Sequence, residues 1–169
     1  MAVSGDTLPE MTKKFFIACA TDDSIVPMTM SDIDEVWAIE QGISLFPWVR
    51  AHFAGSMAAG HRGWVLRDAG GVKGYVITSV VLDEAELLII GVARAHQGQG
   101  RGGQLMQAMM CALQEAGVKR LFLEVRESNT VAQSLYRRCG FEPSGRRAAY
   151  YPAPGGGSRE AALLMTKDF

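Results

Sequence analysis

A glycine-rich turn between an apolar strand and a helix constrains the fold of this chain more than any other feature. It reads QGQGRGG from Gln97 to Gly103, after apolar residues 87–92 and before a helical pattern. The first N–H groups of a helix lack intrahelical partners and carry partial positive charge, so a turn with few side chains lets a phosphate approach them. The pattern therefore predicts a strand–turn–helix unit of an α/β protein that binds a phosphate-bearing ligand.

The residues around the turn discriminate among the folds that use such a unit. A P-loop would close the turn with Gly-Lys-Ser or Gly-Lys-Thr, whereas this turn continues Arg-Gly-Gly-Gln. A dinucleotide-binding fold would place an acidic residue roughly twenty residues further on, where it holds a ribose. Glu124 stands at about that distance. The dinucleotide interpretation stays open, but it assigns no role to the tyrosine-bearing helix that follows.

That later helix supplies the second half of a recognisable pattern. Glu124 is followed by VRESN and by a predicted helix from Thr130 to Cys139 that runs into Gly-Phe. The pattern Gln-x-x-Gly-x-Gly, then an Asn-capped helix ending Tyr-x-x-x-Gly-Phe, resembles the GNAT acetyltransferase superfamily. The segments LEVR with SN, VLDEA, YYP and FPW are similar to its RimI-like branch, the bacterial ribosomal-protein alanine N-acetyltransferases. The resemblance extends from about Ser31 to Met165.

Two segments depart from that branch. Ala93-Arg94-Ala95 stands where the branch often has an Asp-Pro-type turn, and Ile89 stands where it often has Asn. Neither difference removes a phosphate donor or a catalytic group. The substrate contacts near this strand stay open.

The resemblance implies an α/β protein of the GNAT fold, with a mixed central sheet flanked by helices. Acetyl-CoA, the acetyl donor, would lie in the splay between two central strands, and no metal is implied. The backbone of one strand would hold the pantetheine arm, the glycine turn the pyrophosphate, and an asparagine would add a hydrogen bond. These cofactor-binding residues are Ile90, Gly91, Val92, Gln97, Gly98, Gln99, Gly100, Arg101, Gly102, Gly103 and Asn129.

Acetyl transfer to an amine needs a neutral nucleophile, and this requirement favours Glu124 as the base. Deprotonating an α-amine of pKa about 7.8 costs only about 1 kcal/mol at pH 7, against about 4.6 kcal/mol for a lysine. One carboxylate acting through a water suffices for the α-amine. Strand alternation places Glu124 on the face opposite Leu123 and Val125. The alternative is a surface glutamate paired with Arg126.

Tyr136 is the candidate acid that protonates the departing thiolate. It follows Asn129 by seven residues, about two helical turns, so both lie on one helix face. Enzymes of the RimI-like branch resemble this arrangement, with glutamate as base and tyrosine as acid. A tyrosine at helix-core spacing is equally compatible with simple packing. Asn129 is expected to cap its own helix as well.

Composition agrees with one small enzyme. The 169 residues are 48% hydrophobic, and we expect residues 1–14 to be a mobile extension and residues 15–169 a single domain. A net charge of −1 argues against nucleic-acid or membrane binding. The start of the chain lacks the pattern of a signal peptide, which predicts a cytoplasmic protein. The three cysteines and three histidines have no metal-ligand spacing, and His96 is interpreted as a polar loop residue rather than a base.

Periodicity predicts the remaining elements. A capping box is expected over residues 31–34, before a helix face that includes Trp37, and a central strand over 87–92 is expected to be buried on both faces. A Met-rich stripe after the glycine turn predicts core packing. The other expected elements are strands at 15–20, 64–67, 75–82, 121–125, 142–147 and 161–166, a helix at 49–59, a hairpin turn at 68–71 and a loop at 154–157.

Three functions are compatible with the sequence. The favoured one is acetylation of the N-terminal α-amine of an alanine-starting protein, with a small-subunit ribosomal protein as the expected partner. The second is acetylation of a lysine or small amine, and the third is a non-catalytic acetyl-CoA-binding module, against which the Glu124 and Tyr136 pair argues. The acceptor-site candidates, each of which could also serve packing, are Asp83, Glu84, Phe46, Trp48, Tyr150 and Tyr151.

Overall fold

The computed structural model describes residues 23–152 and 157–169, and within them seven strands form one sheet in the order β1-β2-β3-β4-β5-β7-β6. The same residues also form four α-helices and two single-turn 3₁₀ helices. The strands are β1 Ser24–Pro27, β2 Arg62–Asp68, β3 Gly71–Val81, β4 Glu84–Val92, β5 Arg120–Arg126, β6 Glu142–Tyr151 and β7 Glu160–Asp168. The α-helices are α1 Ile33–Ile43, α2 Arg50–Ala58, α3 Arg101–Glu115 and α4 Thr130–Arg138, and the 3₁₀ helices are Met30–Asp32 and Arg94–His96.

The middle of the sheet is where its pairing breaks. β4 and β5 run parallel, whereas the other neighbouring strands are antiparallel. The parallel ladder covers only the first half of β4 and ends where Leu87 pairs with Leu123. β4 continues along β3 as far as Val92, with a bulge at Leu88. β4 and β5 therefore diverge beyond Leu87 and leave an open splay, which confirms the predicted mixed sheet.

Two separate cores cover the two faces of the sheet. The larger core includes Leu105 and Met109 of α3 and Leu121 and Leu123 of β5, with Tyr136 of α4 in the same cluster. The smaller core lies under α1 and α2 and consists of Met28, Ile33, Val36, Phe53, Val65, Val72, Tyr75 and Ile77. The sheet thus separates the helices that follow the glycine turn from those that precede it.

Most elements lie where periodicity predicts them. The helix over 49–59 and the hairpin at 68–71 are confirmed. The Met-rich stripe predicted after the glycine turn is also confirmed, because its members are all buried in α3: Leu105, Met106, Met109, Met110 and Leu113. The strand predicted over 87–92 is central, but Leu88, Ile89 and Ile90 are only half-buried. The splay explains this difference, since these residues have lost their neighbours on β5.

Two local predictions around α1 are wrong. The capping interaction lies two residues earlier than expected, because the Thr29 N–H donates to Asp32 Oδ2 at 2.8 Å. Asp34 instead pairs with Arg50 at the start of α2. Trp37, expected on the buried face, is exposed.

The remaining predictions concern residues outside those described. They are the strand at 15–20, the extension at 1–14 and most of the loop at 154–157. Among residues 23–152 and 157–169, no helix is long and apolar enough to cross a membrane.

Candidate active site

The glycine turn forms an open cradle at the start of α3. Gly98 and Gly100 have positive φ values of 72° and 79°, and a Cβ built on either would meet no atom within 4 Å. Gly100 is the N-cap of α3, and no side chain of the described residues caps this helix. The first N–H groups of α3 therefore face space that a phosphate could fill. Gly102 has a different reason to be glycine, since its Cβ would lie 3.3 Å from Leu135 of α4.

The polar side chains of the turn hold its own shape. Arg101 donates to Asp23 Oδ2 through Nε at 3.1 Å and Nη2 at 2.9 Å. Its Nη1 donates to His96 Nδ1 at 2.8 Å and to Gln99 Oε1 at 2.5 Å. With its guanidinium engaged in this way, Arg101 can offer a ligand its backbone N–H. His96 is thus a structural loop residue, as interpreted from sequence.

Further contacts orient the turn and the end of β4. Gln97 Nε2 donates to the Val92 carbonyl at 2.9 Å, and Gln99 Nε2 to the Ala95 carbonyl at 3.2 Å. Gln104, in the first turn of α3, carries the one fully buried side-chain oxygen within 23–152 and 157–169 that lacks a hydrogen-bond partner. A donor on a bound molecule would satisfy it.

The backbone of β4 borders the splay. The Ala93 N–H donates to the Lys73 carbonyl on β3 at 2.8 Å. Because successive residues of a strand direct their N–H and C=O groups to opposite sides, Ile90 and Val92 direct theirs toward the gap beside β5. Gly91 faces β3, and a Cβ on it would lie 2.7 Å from both the Tyr75 ring and Ile43. Its contribution to the cofactor-binding strand stays a prediction.

Glu124 lies on the α1 and α2 face of β5, as strand alternation predicts. Its Oε1 contacts Arg147 Nη1 of β6 at 3.0 Å, and its side chain is 19% exposed. A hydrogen bond to Glu124 raises the pKa of the Tyr150 phenol. The alternative of a Glu124–Arg126 pair is wrong, because Arg126 pairs with Glu160. A cavity of about 240 Å³ adjoins the carboxylate and is lined by Glu86, Phe122, Leu123, Glu124, Ser144, Arg147, Leu164 and Met165.

Tyr136 lies on the other face of the sheet. It is buried in the larger core, and its ring centroid lies 6.0 Å from that of Phe141. Burial raises the pKa of its phenol, and the phenol of Tyr151 adds to the shift. Tyr136 is therefore both packed and fully protonated near neutral pH, which is the state a proton donor requires. Asn129 caps the helix as expected, since its Oδ1 accepts from the Ala132 N–H at 3.1 Å.

Tyr151 interacts with both Glu124 and Tyr136. Burial and the Glu124 carboxylate together raise its pKa to about 12. Its ring centroid lies 5.0 Å from that of Tyr150, and the Arg147 guanidinium lies 5.4 Å from the Tyr150 ring. Tyr151 therefore interacts electrostatically with both the candidate base and the candidate acid.

Five of the six predicted acceptor residues fall into two groups, whereas Trp48 packs against Phe53 beside the smaller core. Phe46, Tyr150 and Tyr151 gather at the Arg126 end of β5, because the Arg126 guanidinium lies within 5 Å of both Phe46 and Tyr151. Glu84 lies opposite Arg120 at the other end of β5, and Asp83 beside it is paired with Lys119. The aromatic group thus borders the open splay, whereas the acidic group lies where β4 and β5 are still paired.

A buried carboxylate that the sequence did not single out holds the loop between α1 and α2. Glu40 is 4% exposed and accepts from the Tyr75 hydroxyl and, at 3.2 Å, from the Trp48 N–H. Gln41 Nε2 donates to the Trp48 carbonyl. A buried carboxylate needs such partners, so Glu40 fixes the loop that carries Phe46 onto β3. An isolated glutamate on a helix gave no signal of this role.

Within the described residues, no group of three or more His, Cys, Asp or Glu side chains is arranged to hold a metal ion. Cys111 and Cys139 are free thiols, and burial raises the pKa of Cys139.

Comparison with known proteins decides the family. A sequence profile of the acetyltransferase (GNAT) family matches residues 22–141. The chain belongs to the GNAT acetyltransferase family. This membership fits the strand–turn–helix unit, the splay and the capped α4 helix, all of which lie inside the matched region.

Individual relatives show which branch of the GNAT family this chain resembles. It is 36% identical over 143 residues to the ribosomal protein bS18-alanine N-acetyltransferase of Escherichia coli K12, covering 85% of this chain and 95% of the relative. The enzyme of the same name from Haemophilus ducreyi is 37% identical, covering 79% and 92%. The predicted resemblance to the RimI-like branch is confirmed.

Solved structures agree with the fold. The Escherichia coli ribosomal-protein-S18-alanine N-acetyltransferase superposes with a TM-score of 0.81 at 36% identity, covering 86% of this chain and 93% of that one. Ard1 from Thermoplasma volcanium has a TM-score of 0.77 at 24% identity, covering 88% and 98%, and supports the fold alone.

The open cradle generates a prediction about Gly100. Replacing Gly100 with Val should abolish the rise in melting temperature that acetyl-CoA causes, because the side chain would fill the space in front of the α3 N-terminus. The measurement is a thermal melt with and without acetyl-CoA.

Gly60→Val is the matched control, since Gly60 has a φ of 81° and equally open surroundings but lies two residues after the end of α2, away from the cradle. Both variants carry the same backbone strain, so only loss of the acetyl-CoA shift separates them. A normal shift in Gly100→Val would contradict the cradle.

Proposed function

We propose that this chain transfers the acetyl group of acetyl-CoA to the N-terminal α-amine of an alanine-starting protein, a ribosomal protein of the bS18 kind. The observation that carries the proposal is the 36% identity to the Escherichia coli ribosomal protein bS18-alanine N-acetyltransferase, which covers 95% of the length of that enzyme. The site geometry supports it, because the splay, the cradle and two candidate proton-transfer groups lie around the centre of one sheet.

Two stretches of backbone would bind different parts of acetyl-CoA. The cradle of Gln97, Gly98, Gln99, Gly100, Arg101, Gly102 and Gly103 would receive the pyrophosphate at the start of α3. The splay-facing groups of Ile90 and Val92 would bind the pantetheine amides, with Gly91 between them, and Asn129 would add its amide from α4. When bound, acetyl-CoA supplies the thioester whose carbonyl carbon accepts the amine.

Glu124 would take the proton of the acceptor ammonium, directly or through a water. Its carboxylate borders the cavity lined by β4, β5, β6 and β7 residues and is paired with Arg147, which is about half exposed. An arriving ammonium competes with the Arg147 guanidinium for the same oxygen, so the exposed arginine can move aside. Because an α-amine costs only about 1 kcal/mol to deprotonate at pH 7, this single carboxylate is a sufficient base.

Tyr136 would donate its hydroxyl proton to the departing thiolate. A tyrosine phenol of ordinary pKa, about 10, is already protonated near neutral pH, and burial raises the pKa of Tyr136 further. Packing against Phe141 fixes the ring, so the packed and the catalytic interpretations of Tyr136 are compatible. A fixed donor loses less rotational entropy in the transition state.

The proposed acceptor can be tested by product mapping. A peptide that starts with alanine and contains an internal lysine should gain one acetyl group at its α-amine, and the same peptide with a blocked N-terminus should gain none. Tandem mass spectrometry after incubation with acetyl-CoA locates the group. Acetylation of the blocked peptide would contradict the proposal and favour a lysine acetyltransferase. Binding of acetyl-CoA with neither acetylated peptide nor free CoA as product would favour a non-catalytic module.

The role of Glu124 predicts a specific pH dependence. Glu124→Gln should keep acetyl-CoA binding but lose most of its rate near neutral pH, with partial recovery above pH about 8, where the α-amine is deprotonated without help. Rates of peptide acetylation across pH test this. Glu127→Gln is the control, because it breaks a comparable ion pair, to Arg146, away from the cavity. Parallel pH profiles for Glu124→Gln and the wild type would rule out the base.

The role of Tyr136 predicts a loss that depends on the leaving group. Tyr136→Phe keeps the buried ring, so the melting temperature should change little, while turnover should fall by roughly a hundredfold. An acyl donor with a more acidic thiol should recover part of the rate, because its thiolate leaves without a proton. A variant that melts early yet turns over normally per folded molecule would show that Tyr136 is only a packing residue.

A further inference from the structure

The guanidinium of Arg126 lies close to two aromatic rings at the open end of β5. Its Cζ is 4.7 Å from the centroid of Phe46 and 4.4 Å from that of Tyr151. Nη1 also donates to Glu160 Oε2 and to the Pro152 carbonyl, each at 3.1 Å. The Arg126 side chain is 19% exposed, so these interactions are largely shielded from water. Cation–π contacts are strongest when they are desolvated in this way.

These contacts join segments that are far apart in the sequence. Phe46 lies between α1 and α2, Tyr151 ends β6, and Glu160 begins β7. Phe46 is 41% exposed and contacts Arg126 through its ring face, while Glu40 holds the neighbouring Trp48 backbone. We name the three stacked side chains Phe46, Arg126 and Tyr151 the arginine bridge.

The arginine bridge lies next to the candidate base. Arg126 follows Glu124 by two residues on the same face of β5, which corresponds to a distance of about 7 Å along the strand. β4 has already diverged at this level, because its pairing with β5 ends at Leu123. An extended chain that entered at this end of β5 and brought its terminal amine to Glu124 would pass the two rings.

We infer that Arg126 is a positioning residue that holds Phe46 and Tyr151 as walls of the acceptor site and so sets the affinity for the acceptor polypeptide. The inference rests on the proposed function. Arg126 itself stays out of the proton transfers, since its guanidinium is occupied by Glu160 and Pro152. Loss of the guanidinium removes the group that contacts both rings. Misplaced walls then weaken acceptor binding without altering the cradle.

Steady-state kinetics of Arg126→Gln test this inference. The KM for the alanine-starting peptide should rise roughly tenfold, since small displacements of positioning groups have effects of this size or larger. The KM for acetyl-CoA should stay unchanged. Arg126→Lys, which keeps the charge but lacks the planar stacking surface, should give an intermediate peptide KM.

Arg120→Gln is the matched control. Arg120 lies on the same strand and the same face as Arg126 and is also paired with a β7 carboxylate, Asp168, but it contacts no aromatic ring in the described structure. It should leave both KM values unchanged. An equal peptide KM in Arg126→Gln and Arg120→Gln would overturn the inference, as would an equal rise in the KM for acetyl-CoA.

Hydrogen–deuterium exchange gives a readout that needs no turnover. Amides of residues 44–49 should exchange faster in Arg126→Gln than in the wild type, and at the wild-type rate in Arg120→Gln. Equal exchange in all three proteins would contradict the positioning role. If the wild type acetylates only lysines or small amines, the proposed function fails, and the KM comparison among the variants is made with that amine instead.

Discussion

The loss of pairing between β4 and β5 beyond Leu87 and Leu123 is the constraint on which the rest of the site depends. A parallel ladder that continued to Val92 would satisfy the strand backbone internally and close the sheet. Because it stops, β4 keeps polar groups directed at the gap, and the cradle at the start of α3 lies just beyond the end of the same strand. The bulge at Leu88 marks the place where this divergence begins.

The two proton-transfer candidates lie in different layers of the fold. Glu124 comes from the β5 face under α1 and α2, whereas Tyr136 comes from α4 in the core on the opposite face. Neither layer alone brings a base and an acid together. Both tyrosines at the end of β6 interact with the Glu124 carboxylate, which contributes to the raised pKa values of Tyr150 and Tyr151.

The features that the sequence predicts correctly are local ones. The glycine turn, the α3 stripe and the Asn129 cap each depend on residues within a few positions of one another. The partner of Glu124 could not be predicted, because Arg147 reaches it only through the pairing of β5 with β7 and of β7 with β6. The same registers bring Tyr151 to Arg126. Glu40 was missed for a related reason, since its partner Tyr75 is 35 residues away.

The division of the hydrophobic interior into two cores has a consequence for how this enzyme can change over evolution. The core with Leu105 and Met109 supports the helix that forms the cradle, whereas the core with Phe53 and Tyr75 supports the loop that carries Phe46. Substitutions that repack one core leave the other in place, because the sheet stands between them. We therefore expect acceptor specificity to change among proteins that evolve from this chain. Binding of the acetyl donor should be retained in them.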